Sequence, residues 1–173
     1  GLGADDWTEL SGYLLDKLYG KLDKSDEYLR SSIEDVLDML ETALKLAPEN
    51  PVAHYNLARY FLENGNFVIA QSQMKVALDL FEKSDIRNKR NTYREINAAR
   101  ILGELYIKDD EYLQAQAAYT RGINAFNAEN ARSGIEGNAE TGLLFADMGD
   151  IDYFIVGDMD SALFNYETAI RFK

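Results

Sequence analysis

Residues Pro51 to Ser84 read PVAHYNLARY FLENGNFVIA QSQMKVALDL FEKS, and their spacing decides the fold. Leu57, Ala58 and Phe61 lie three and four residues apart on one stripe of the segment Val52 to Asn64. Gly65-Asn66 interrupts it, and Ala70, Met74, Ala77 and Leu78 begin a second stripe. Two apolar stripes of helical spacing on either side of a glycine turn predict two antiparallel amphipathic helices. The small residues Ala58, Ala70 and Ala77 fall where two helix backbones must approach closely. A larger side chain there would force the hairpin apart.

The segment resembles a tetratricopeptide repeat, whose pattern runs aromatic, Leu-Gly, Tyr, a Gly-Asp/Asn turn, Ala, aromatic, Ala and Pro. His54 stands at the Trp place, Ala58 replaces Gly, and Gly65-Asn66-Phe67 forms the turn. Ala70 and Ala77 are in place, Met74 fills the aromatic position, and Glu82 stands where Pro is usual. A second copy runs from about Ile96 to Glu129, with Leu102-Gly103, Tyr106, Tyr112, Ala115 and Tyr119 at the same spacings. Asp109-Asp110-Glu111 replaces its glycine turn, and Gly122 takes the place of the second-helix Ala.

Outside these two copies the pattern is altered. Ile33, Val36, Leu40, Ala43 and Leu46-Ala47-Pro48 match the second helix of an earlier repeat. Its first helix is predicted over Asp5 to Tyr19, with Trp7, Leu10 and Leu14 on one face and about thirteen surplus residues before the second. The last copy has Gly157-Asp158-Met159, Ala162, Tyr166 and Ala169, with a first helix expected around Gly134 to Met148. Two insertions are read from the spacing. Asp85 to Glu95 is charged and expected to lengthen the flanking helices, whereas residues 149–156 look like a duplicated Gly-Asp turn. The apolar run Tyr153-Phe154-Ile155-Val156 between those turns is expected to fold back over the core.

The resemblance implies an all-α fold, a right-handed α-α superhelix of tetratricopeptide type. About four hairpins, near residues 5–48, 51–84, 96–129 and 134–173, would form a single domain over 1–173. Such hairpins cannot bury their apolar faces alone, and stacking them makes a continuous core with an inner groove.

Composition agrees with this class. Apolar residues are 46% of the 173, enough for a core, and two prolines leave helix propensity unbroken. Thirty acidic against 18 basic side chains give a net charge of −12. That charge repels phosphate backbones and anionic lipid, so the expected partner is another protein or peptide, not nucleic acid. No cysteine is present, which excludes disulfides and cysteine–zinc sites and leaves cytoplasm and periplasm equally open. No segment has the roughly 18–20 apolar residues that direct membrane insertion needs. The start Gly1-Leu2-Gly3-Ala4 and the close Arg171-Phe172-Lys173 are read as the ends of a piece of a longer protein.

Catalysis finds no constellation. One histidine, no cysteine and no glycine-rich phosphate loop argue for a non-enzymatic protein without a cofactor, and His54 is expected to pack within its hairpin. In tetratricopeptide stacks the first helices line the groove. By that resemblance the partner-binding residues would be Tyr55, Asn56, Arg59 and Glu63 from the second hairpin and Asn97, Arg100, Glu104 and Lys108 from the third, with Glu140 from the fourth. The carboxylate clamp of chaperone-binding members is not supported. Asn56 fits its middle place, but Asn97 and Ile101 stand where Lys and Arg should, and the first hairpin offers Thr8 and Gly12.

Two other functions stay open in the sequence. The apolar face of Leu163, Tyr166, Ile170 and Phe172 suggests a structural role, self-association through the C-terminal hairpin or membership of a larger assembly such as one of the cell envelope. The aspartates Asp147, Asp150, Asp152, Asp158 and Asp160 suggest a metal or small-molecule site. Their spacing does not fit the twelve-residue calcium loop, and Asp158 or Asp160 is better read as a helix cap.

Overall fold

Asn50 ends an extended residue and opens a helix. Its side-chain oxygen accepts from the backbone N–H groups of Val52 (3.0 Å) and Ala53 (3.2 Å), and Pro51 occupies the first helical position. The same device recurs at Asn88, at Asn138 (a reciprocal capping box with Thr141) and at Asp158. A computed structural model describes residues 1–18 and 27–172, without the side chains of 27–31.

Among the described residues there are eight α-helices and no strand: α1 Ala4–Leu18, α2 Glu27–Leu46, α3 Pro51–Glu63, α4 Phe67–Lys83, α5 Lys89–Lys108, α6 Tyr112–Ser133, α7 Ala139–Asp150 and α8 Met159–Arg171. The helices α5 and α6 run beyond both ends of the span 96–129 expected for the third hairpin. The fold is an all-α helical-repeat fold. Residues 19–26, which include Tyr19 and part of the surplus between the first two helices, lie outside the described residues.

The chain divides into two compact units, Gly1–Leu80 and Phe81–Lys173. In the first, α1 pairs with α2, and α3 packs against both. Leu15, Val36, Leu40, Leu57 and Tyr60 form its core, with Leu14, Ile33 and Phe61 against them. Ala58, Ala70 and Ala77 are fully buried, as close backbone approach requires. His54 ties the hairpin together: Nε2 donates to the Pro48 carbonyl and Nδ1 meets the Gln73 side-chain amide, both at 2.7 Å.

In the second unit α5 pairs with α6, α7 pairs with α8, and α7 packs against both α5 and α6. Ile96, Tyr119, Phe126, Leu144, Phe145 and Ile151 make its core, and Phe172 closes it against Phe126 at 5.2 Å between ring centres. The turn between α3 and α4 places Gly65 at φ 74°, and the turn between α5 and α6 places Asp110 at φ 59°. Aspartate is among the few side chains that adopt this left-handed conformation, which is how Asp109-Asp110-Glu111 replaces the glycine turn.

The two insertions differ from expectation. Lys89 to Glu95 does lengthen α5, but residues 84–88 are not helical. Gly149-Asp150 makes no turn: α7 runs through it and continues as a π-helical turn, Ile151–Val156, which ends at Gly157 (φ 78°). Wider i→i+5 bonding rotates the following residues off the helical phase. Ile151 and Asp152 are buried, while Tyr153, Phe154, Ile155 and Val156 all face solvent. The run expected to cover the core is therefore exposed.

Candidate functional site

The residues assigned to a groove fall into one cluster in each unit. In the first unit Tyr55 is 6% exposed and Asn56 only 2%. The Asn56 amide donates to the Thr8 carbonyl at 3.1 Å, so it holds α3 against α1 and presents no surface. This corrects the reading of Tyr55 and Asn56 as open groove residues, because a buried amide must spend its hydrogen bonds inside the protein. Arg59 bonds the Asp16 carboxylate, reaches Asn56 at 3.5 Å and lies 5.6 Å from the Tyr55 ring centre. Glu63 is exposed at the end of α3.

In the second unit Arg100 gathers the predicted residues around itself. Its guanidinium donates to Glu140 on α7 (2.8 Å), Glu104 (2.5 Å) and Asn97 (3.1 Å). Four of the expected residues thus form one fan across the first helices of two successive hairpins. Lys108 lies a turn beyond Glu104, exposed at the end of α5. Both arginines have internal carboxylate partners, so an acidic group on a partner would compete with those already present.

The aspartates of the last hairpin are dispersed among structural tasks. Asp150 accepts from the Tyr166 hydroxyl at 2.7 Å, which pushes that phenol up to about 12. Asp152 accepts from the buried Asn165 amide at 2.7 Å. Asp158 accepts from the Ser161 backbone N–H (3.1 Å) and hydroxyl (2.6 Å), which hold its carboxyl below the usual range. Asp160 is exposed in the first turn of α8. Among the described residues no group of three or more His, Cys, Asp or Glu side chains is placed to hold a metal.

Two cavities escaped sequence reasoning. One, of about 300 Å³, lies among the ends of α5 and α7, the start of α6 and the π-helical turn, with Asp147 in its wall. The Asp147 Oδ2 atom is buried and has no hydrogen-bond partner. Burial, with Glu104 nearby, pushes its carboxyl up to about 6 against the opposing pull of Arg100. Burial also raises the neighbouring Tyr119 phenol far above its usual range. The other cavity, of about 370 Å³, is lined by Arg87, Arg121 and Arg132 together with Glu82, Glu95 and Glu129. Its arginines face acids: Arg121 to Glu82 at 2.6 Å, Arg132 to Glu129 at 2.5 Å and Arg87 to Glu95 at 3.4 Å.

A family model described as tetratricopeptide repeat matches residues 39–72. Residues 39–72 therefore carry a tetratricopeptide repeat. The matched repeat begins on α2 and ends on α4, so it takes in the whole of α3 and the turn that follows it. Among solved structures the protein is similar to BtubC (BKLC) from P. vanneervenii, with a TM-score of 0.59 and 21% identity. That likeness covers 96% of this chain and 73% of the other, and it speaks for the fold alone. A comparison with curated proteins found no match. Tetratricopeptide repeats suggest protein–protein interaction and are typically non-enzymatic. No helix among the described residues is long and apolar enough to cross a membrane.

Proposed function

We propose that this protein is a non-enzymatic scaffold that binds a segment of another protein along the first helices of its hairpins. The observation that carries this reading is the Arg100 fan, in which side chains of α5 and α7 are drawn into one polar surface. Repeat stacks bind by burying such a preformed face, so little ordering cost opposes association. Net charge of −12 favours a partner with basic segments. The test is affinity capture from the source cells with the wild-type protein and with Arg100→Ala combined with Glu140→Ala. We expect the double variant to lose the captured protein while keeping its helical circular dichroism. Undiminished capture would remove this surface from the binding site.

A second reading, self-association, is favoured by one observation. Leu163, Phe164 and Ile170 on α8 are 58%, 63% and 60% exposed, although Tyr166 and Phe172 of the same helical end turn inward. An apolar patch of this kind suits a protein contact. Light scattering across a range of concentrations decides it, since a mass that stays monomeric throughout excludes self-assembly.

A further inference from the structure

The unpartnered Asp147 oxygen needs an explanation, because leaving a buried acceptor unmet costs about 1–3 kcal/mol. Arg100, whose charge reaches Asp147, does not supply the bond. Arg100 is engaged by Glu104, Glu140 and Asn97. Asp150, also in the cavity wall, accepts from Tyr166. The cavity therefore holds three carboxylates, those of Glu104, Asp147 and Asp150, without a cation in its lining.

Its other walls are apolar and aromatic: Ile107 on α5, Tyr112 and Tyr119 on α6, and Ile151, Phe154 and Ile155 on the π-helical turn. An anion is excluded by charge, and a neutral apolar ligand leaves Asp147 without a partner, since Glu104 is paired with Arg100 and Asp150 with Tyr166. A cation on an aliphatic stem satisfies both halves, with its stem along the apolar wall and its head at the carboxylates. At about 300 Å³ the space is at the lower end of ligand pockets, which run roughly 300–1,000 Å³. It suits one long side chain. Phe154 is 73% exposed and Ile155 46%, so apolar surface continues outward from the cavity. A free amine has nothing to place there, whereas a peptide has its neighbouring residues.

We propose that this cavity takes an arginine or lysine side chain of a bound peptide, with Asp147 as its counter-charge and Phe154 and Ile155 contacting the adjoining residue. The assignment deepens the scaffold reading and rests on it. The acid–base groups facing Asp147 are Glu104 and Arg100 from α5, Tyr119 from α6 and Asp150 from α7. With the Asp147 carboxyl near 6, the cation is held above that pH and released below it.

The experiment titrates the protein by NMR with the peptide acetyl-Ala-Leu-Arg-Leu-Ala-amide, its citrulline analogue and acetyl-arginine amide. We expect saturable shifts of the Asp147, Ile151 and Phe154 amides with the arginine peptide. Citrulline should bind at least tenfold more weakly, and so should the arginine peptide to Asp147→Asn. Lowering the pH from 7.5 to 5.5 should weaken the arginine peptide several-fold. Asp147→Asn removes an unpaired buried charge, so it should fold. The exposed Phe154→Ser should weaken the peptide more than it weakens acetyl-arginine amide, because Phe154 both lines the cavity and continues outward from it. Equal binding of the arginine and citrulline peptides, or shifts outside the cavity, would overturn the site. Equal affinity for the peptide and acetyl-arginine amide would overturn the peptide assignment. Failure of the scaffold reading is recorded separately, in the capture by the Arg100 and Glu140 variant.

Discussion

The ring of Tyr119 on α6 occupies the space that a side chain at Gly103 on α5 would fill. The pair fixes how closely the two helices of the third hairpin approach. Any β-carbon at residue 103 overlaps the ring, and the ring is held in the core. Gly103→Ala should therefore destabilise the protein by about 1–3 kcal/mol, the usual cost of overpacking. Combining it with Tyr119→Leu should recover part of the loss in urea unfolding. A single variant as stable as wild type would mean that α5 and α6 separate freely, contrary to this packing.

Asp110 occupies the conformation that Gly65 occupies in the preceding hairpin. A side chain in the left-handed region costs roughly 1–2 kcal/mol, and glycine's extra chain entropy takes back about half of that. The Tyr112 hydroxyl also bonds Asp110 at 2.9 Å, a contact that glycine would lose. Asp110→Gly should thus raise the denaturation midpoint slightly, with an unchanged slope, while Gly65→Ala should lower it. If both substitutions moved the midpoint in the same direction, the two turns would not be equivalent.

Burial pushes the Glu95 carboxyl up to about 7, against Arg87 at 3.4 Å, which pulls it down. The folded protein then holds this proton more tightly than the unfolded chain, whose value is 4.5. Unfolding free energy must fall as pH rises from about 4.5 to about 7, because the native state binds more protons over that range. Glu95→Gln should flatten this part of the curve and be more stable at pH 8, by about 2 kcal/mol. Matching slopes for wild type and variant would show that Glu95 does not titrate in that range.

Asn56 separates stability from recognition. Its amide bonds the Thr8 carbonyl within a buried contact, so Asn56→Ala should cost about 1–3 kcal/mol. Capture of a partner below the melting temperature should be unaffected. A variant that melts like wild type yet loses its partner would return Asn56 to the binding surface.

The middle hairpins were legible because their apolar residues keep a helical period and their turns carry glycine or aspartate. The Arg100 fan was legible in part, since Asn97, Arg100, Glu104 and Glu140 were each placed on first helices, although nothing in the spacing gave their mutual bonds. Tyr55 and Asn56 misled because polarity says nothing about a carbonyl on another helix that draws an amide inward. The π-helical turn was invisible for a different reason. A bulky apolar run reads as core at any ordinary period, and only i→i+5 bonding turns Tyr153 to Val156 outward. Asp147 stood out in the sequence only as one of a run of aspartates; its burial beside Glu104 and Tyr119 appears only when its neighbours are in place.

The π-helical turn also separates two kinds of selection. Ile151 and Asp152 are anchored, one in the core and one to Asn165, while the next four side chains are 45–73% exposed. Substitution there can diversify recognition without endangering the fold. A lineage, or an experimenter with a library at residues 153–156, can search for new specificities on a fixed frame.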